Sequence, residues 1–231
     1  MPPYWLEIIA IASLVATLVS IVLIALDVAN ANPQRMRIMN FVWPVTPLYL
    51  GPLALWAYRA GESSAEATPD MAYAGGRPSA TRRKRQFSQI VLIAAARSAG
   101  ACALGVALGE WILFRVAPGV ADEAPWTSCL LDLVLAGLLG ILFQYGAMAS
   151  RRQLRLGDGV AEAAREDWVV LLGCLLGFFG WMAISRLLLF PQLSVVHWSY
   201  WLMLQIGLLL GFATSYLMSW WRIRSGVKEA I

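Results

Sequence analysis

Apolar runs of about 20 residues recur along this chain, and about 20 apolar residues are what an α-helix needs to cross the hydrocarbon core of a bilayer. Six such runs can be read, at about 5–26, 39–58, 89–114, 128–149, 168–190 and 197–221. Each is twice the length of a membrane β-strand, and lipid satisfies no backbone hydrogen bonds, so the runs must be helices. The expected fold class is therefore all-α, a polytopic membrane helical bundle with six transmembrane segments, formed by residues 1–231 as a single membrane domain. Composition agrees. The chain is 59% hydrophobic and 14% charged, with a mean hydropathy of +0.64, where soluble domains carry about 45–50% apolar and about 25% charged residues. That excludes an ordinary soluble enzyme, a disordered regulator and a disulfide-stapled secreted domain.

Charge placement sets the expected orientation. The net charge of +4 does not point to nucleic acid, because every Lys and Arg except Arg97 reads as an end or loop residue of the apolar runs. With six crossings, one side holds 13 bases: Arg59, Arg77, Arg82, Arg83, Lys84, Arg85, Arg151, Arg152, Arg155, Arg165, Arg222, Arg224 and Lys228. The other holds Arg35, Arg37, Arg115 and Arg186. By the positive-inside rule both termini are expected in the cytoplasm. The long polar stretch 61–88, rich in Gly, Ser, Ala, Pro and charge, is expected as a disordered cytoplasmic loop. Its run Arg82, Arg83, Lys84, Arg85 either fixes orientation or holds anionic lipid headgroups. The first segment lacks a basic n-region and is long for a signal peptide, so it is expected to stay as a helix despite the small residues Ala29, Asn30 and Ala31.

The second segment contains Pro44, Pro47 and Pro52, each of which removes a helix hydrogen bond. Two expectations follow. A kinked span, anchored by Trp43, Trp56 and Tyr58 at interfacial depth, gives six crossings. A re-entrant loop gives five, an external N-terminus, and a steeper distribution of 15 bases against 2, because Arg35 and Arg37 then join the 13.

Little catalytic chemistry can be assembled from the remaining residues. His197 is the single histidine, which excludes a bis-His haem, a His-rich zinc centre and an HExxH protease. Cys102, Cys129 and Cys174 match no metal or redox spacing and read as small packing residues. No phosphate-binding glycine loop or nucleophile elbow occurs. No enzymatic activity and no cofactor are expected. Small residues spaced by four, as in Gly105/Gly109, Gly173/Gly177 and Gly207/Gly211, let helix backbones approach closely.

Several strings, in order, resemble a family of bacterial integral membrane proteins catalogued as domain of unknown function 4396: MNFVWPVTPLYLGPLALWAY, FQYGAMASRR, GFFGWMA, YWLMLQIGLLLGFATSY and SWWRIRSGVKE. The resemblance implies a polytopic inner-membrane protein with no assigned reaction. It also implies, in the stretch matching residues 97–110, a His-Cys pair, a further Cys, a Gly-Asp pair and a Glu, a set suited to a soft metal ion. This sequence has Arg97, Ser98, Cys102, Gly105, Val106 and Glu110 there. Only Cys102, Gly105 and Glu110 keep the pattern, so no bound metal is expected.

Ionisable residues inside a span cost a few kcal/mol on insertion scales and mark candidate sites. Arg97 and Glu110 in the third segment and Asp132 in the fourth qualify. Arg97 and Glu110 stand about 20 Å apart along one helix and point in different directions. Glu110 and Asp132 each lie about four residues from the outer end of their spans, so antiparallel neighbours would bring them level. They form either a cation or proton site opening outward or a pair of hydrated boundary residues. Arg97 falls level with Gln144, as a hydrogen-bonding partner or an anion or headgroup ligand, and Gln205 reads as an interhelical hydrogen-bonding residue. His197, within VVHWSYW, reads as part of an interfacial aromatic belt.

The expected function is that of a non-catalytic accessory or scaffold subunit, with the lipid bilayer, other membrane subunits or further copies of the chain as partners. The alternative is a small cation or metal transporter or channel using Glu110 and Asp132, in which the broken second segment lines the path.

Overall fold

The computed structural model describes residues 3–30, 39–66, 80–117, 125–152, 156–191 and 193–225. Among them there is no β-strand. The helices are α1 (Tyr4–Asn30), α2 (Met39–Val45), α3 (Pro47–Leu50), α4 (Leu53–Glu66), α5 (Ala80–Val116), α6 (Pro125–Arg152), α7 (Leu156–Ile184) and α8 (Trp198–Arg224), with a π-helical turn, Ser185–Leu189, closing α7. Five of them carry stretches long and apolar enough to cross a membrane: Tyr4–Asn30, Ile90–Val116, Thr127–Gly146, Trp168–Leu189 and Trp198–Arg224.

Close approach at glycine sets the register of the bundle. A Cβ on Gly105 would collide with the backbone nitrogen of Ala136 and stand 2.5 Å from its Cα. Gly109 lies against Asp132, one turn further along each helix, so α5 and α6 run antiparallel with backbones nearly touching. Antiparallel α7 and α8 meet the same way. Gly211 packs on Cys174, Gly177 on Thr214, and the Thr214 hydroxyl donates to the Gly173 carbonyl at 2.7 Å. A continuous core joins these four helices, with Cys102, Val106, Ala136, Cys174, Phe178, Leu204 and Leu208 inside it.

The Pro-rich segment does not form one helix. Pro44 sits inside α2, and Pro47 opens α3 at a position that needs no N–H donor. Gly51 then takes φ 58°, which an L side chain rarely adopts, to reverse the chain before Pro52. The result is a hairpin. Trp43 on the incoming arm meets Tyr58 on the outgoing arm, ring centroids 5.3 Å apart, and the Tyr58 hydroxyl donates to Asp27 Oδ2 at 2.6 Å near the end of α1. The tip lies deeper in the bundle, where Tyr49 stacks on Phe212 at 5.3 Å and Val42 and Val45 pack on Gly100.

Helix α1 and the last helix run parallel. Glu7 pairs with His197, while Ser13 and Thr17 both bond to Gln205, so residue numbers rise together along the two helices. Six crossings would make the first and last helices antiparallel. The geometry instead matches the second expectation, five long helices plus a hairpin whose two arms start from one end of the bundle. The physical reason is that three prolines and Gly51 break the run into pieces too short to span. Of the stretch expected as a loop at 61–88, residues 61–66 finish α4 and residues 80–88 begin α5; residues 67–79, and the side chains of Arg82 to Arg85, lie outside the described residues.

Candidate functional site

At the end of the bundle where α5 finishes and α8 begins, four charged or phenolic side chains converge. Glu110 comes from the last turns of α5, Asp132 from the early turns of α6, Arg186 from the π turn and Tyr200 from the first turn of α8. Gly109 makes room for Asp132, because a Cβ there would collide with its Oδ1. The Tyr200 hydroxyl donates to Glu110 Oε1 at 2.6 Å. The guanidinium carbon of Arg186 lies 5.2 Å from the centre of the Tyr200 ring, a cation–π distance. Asp132 is within electrostatic reach of both Glu110 and Arg186, and Cys129, one turn earlier on α6, is within reach of all three.

This arrangement corrects the picture of hydrated boundary residues. Glu110 and Asp132 are each only 2% exposed, although a distance of four residues from the end of a span predicts contact with water. The connection from α7 to α8 is packed down at the same end of the bundle. Its Leu193 and Val195 are buried, Trp201 Nε1 donates to the Val195 carbonyl at 3.2 Å, and Trp181 Nε1 donates to the Met203 carbonyl at 3.0 Å. The π turn is closed by the Phe190 N–H on the Ser185 carbonyl at 2.8 Å. Its wider winding carries Arg186 toward the site.

The five candidate residues fall into three places. Glu110 and Asp132 share the site just described. Positions 97 and 144 stand opposite each other lower in the bundle, by the register that sets Gly105 against Ala136 and Gly109 against Asp132; Gln144 is fully buried. Gln205 serves the hairpin. Its Oε1 accepts from Ser13 at 2.7 Å, and its Nε2 donates to Thr17 Oγ1 at 2.8 Å and to the Pro47 carbonyl at 3.4 Å. That carbonyl belongs to the broken helix, and the amide covers it where lipid cannot.

Sequence reasoning misses two participants, since it counts Arg186 as a loop base and Tyr200 as a belt aromatic. The available signal is that Arg186 falls inside the apolar run 168–190 and so must find a partner within the bundle. His197, at the start of α8, makes a partly exposed polar contact, Nδ1 to Glu7 Oε1 at 3.3 Å. The cysteines are less separate than their spacing implies: Cys102 and Cys174 are fully buried in one core cluster.

The soft-metal set implied by the resemblance does not fit these residues. Arg97 and Ser98 offer no soft donor, Cys102 shares its core cluster with one further thiol, Cys174, and Glu110 lies about two helical turns from it. Among the described residues no group of three or more His, Cys, Asp or Glu side chains could hold a metal ion.

No curated protein matches this chain, and no solved structure matches it. A family model does, over residues 89–228, more than half of the chain, covering α6, α7, α8 and all of the spanning part of α5 and leaving α1 and the hairpin outside the match. The four residues of the buried site all lie within that stretch, and by this match the chain belongs to the family described as Domain of unknown function (DUF4396).

Proposed function

We propose that this protein moves a small cation across a bacterial cytoplasmic membrane, with Glu110 and Asp132 as the binding carboxyl groups. The observation that carries this is their burial. Placing two carboxyl groups in a bundle interior is costly unless something compensates them, and intramembrane ionisable residues line ion and proton pathways. A hairpin of broken helices packed beside the spans is also the kind of element that lines transport paths. The accessory-subunit expectation, which rests on the lost metal-type residues, the small-residue helix faces and the interfacial aromatics, gives these two buried carboxyl groups no role.

The test is charge movement in vesicles. A potential-sensitive dye should report cation-driven collapse of an imposed potential in vesicles containing the wild type. Asp132→Asn and Glu110→Gln should lower that rate to the level of empty vesicles while eluting from gel filtration like the wild type. Unchanged rates in both variants would return the protein to the accessory class.

The orientation proposed for this activity places the C-terminus in the cytoplasm, which the parallel α1 and α8 then extend to an external N-terminus. A cysteine introduced at Pro3 should react in intact cells with a membrane-impermeant maleimide, and a reporter fused after Ile231 should be active inside. Labelling at Pro3 only after lysis would rule out this orientation and the site's outward face with it.

A further inference from the structure

The cation can be named from the charge balance of the site, an argument that rests on the transport function just proposed. Among the described residues, the titratable groups that face one another here are Glu110 from α5, Cys129 and Asp132 from α6, Arg186 from the π turn and Tyr200 from α8. In their ordinary forms at neutral pH the thiol and phenol are neutral. Two carboxylates then face one guanidinium, and the cluster is short of a single positive charge. Both carboxyl groups are buried, and an uncompensated buried charge is the arrangement that a membrane interior tolerates least. One monovalent cation removes it.

The donor set decides which. Metal cations demand several oxygen ligands around one point, and here the oxygens do not converge. Glu110 Oε1 already accepts the Tyr200 hydroxyl at 2.6 Å, and Asp132 Oδ1 is directed against Gly109. No three acidic or soft side chains among the described residues surround a common point. A proton needs only one oxygen with an open lone pair, and Asp132 Oδ1 is buried with no hydrogen-bond partner among the described residues. We infer that the transported cation is a proton, taken up by the Glu110–Asp132 pair while Arg186 compensates the second carboxylate. Binding forms one O–H bond at the carboxyl pair and release breaks it, with no other reactant. Tyr200, bonded to Glu110 and stacked under Arg186, is the positioning residue that keeps that carboxylate toward the guanidinium.

Vesicles loaded with a pH-sensitive dye and given an inside-negative potassium diffusion potential distinguish the outcomes. The wild type should acidify its lumen, and Asp132→Asn should reduce the initial rate by about tenfold or more. Uptake of labelled sodium or rubidium without acidification, lost in Asp132→Asn, would overturn the proton assignment while leaving the site as a cation site. Absence of any cation flux would overturn both. A measurement on the wild type alone guards against a misfolded variant. Infrared titration of the purified protein should reveal one carboxyl band per chain that appears on protonation and shifts in heavy water. Lack of such a band throughout the titration would overturn the inference.

Discussion

Replacing Gly105 by alanine should cost the folded protein about 3 kcal/mol, the upper end of what overpacking costs, because the added carbon has nowhere to go. It would collide with the Ala136 backbone nitrogen and stand 2.5 Å from the Ala136 Cα and 2.8 Å from its Cβ. No flexible side chain is there to yield, so α5 and α6 must separate along their tightest contact. Separation would also pull Asp132 from its place beside Gly109 and weaken its approach to Glu110. Gly137 supplies the control, since a Cβ there meets nothing within 4 Å, and Gly137→Ala should change stability by no more than about 0.5 kcal/mol. Reversible unfolding of the two variants in mixed micelles checks both numbers. Equal midpoints for Gly105→Ala and the wild type would mean that α5 and α6 are not in this register.

Gln205→Leu should loosen the hairpin by about 2 kcal/mol, through three lost hydrogen bonds of the modest strength usual between membrane helices. The substitution is close in size and leaves Ser13, Thr17 and the Pro47 carbonyl without the amide that joins them. Pro47 is the most consequential, because its carbonyl also accepts the Gly51 N–H at 2.8 Å in the turn that reverses the chain. Hydrogen exchange is the direct measure. The amides of Leu50 and Gly51, bonded to Thr46 and Pro47, should exchange more than about tenfold faster in the variant, since each 1.4 kcal/mol is about a factor of ten. Amides in the middle of α5 should not change. Exchange at Gly51 equal to that of the wild type would show that the hairpin is held by packing alone, through Tyr49 on Phe212 and Val42 on Gly100.

The sequence by itself determined the fold class and the residues that needed explaining. A hydrocarbon core demands long apolar helices, and the five long ones were legible from their runs alone; Glu110 and Asp132 stood out because carboxyl groups there carry a cost. Their equal depth was also legible, from counting residues to the end of each span. Only the tertiary structure decided that they are buried and what stands beside them, since Tyr200 on Glu110 and Arg186 over Tyr200 are contacts between segments far apart in the chain. The second segment divided the same way. Three prolines announced a break, but a kinked span and a hairpin use the same local chemistry, and charge counting and segment length favoured opposite answers. What separates them is whether both arms lie at the same end of the bundle, which Trp43 against Tyr58 and Tyr58 against Asp27 establish. The tip also takes a side-chain hydrogen bond on the Pro47 carbonyl. Gln205 is far from Pro47 in the chain and reaches it only because α1 and α8 run side by side in the same direction.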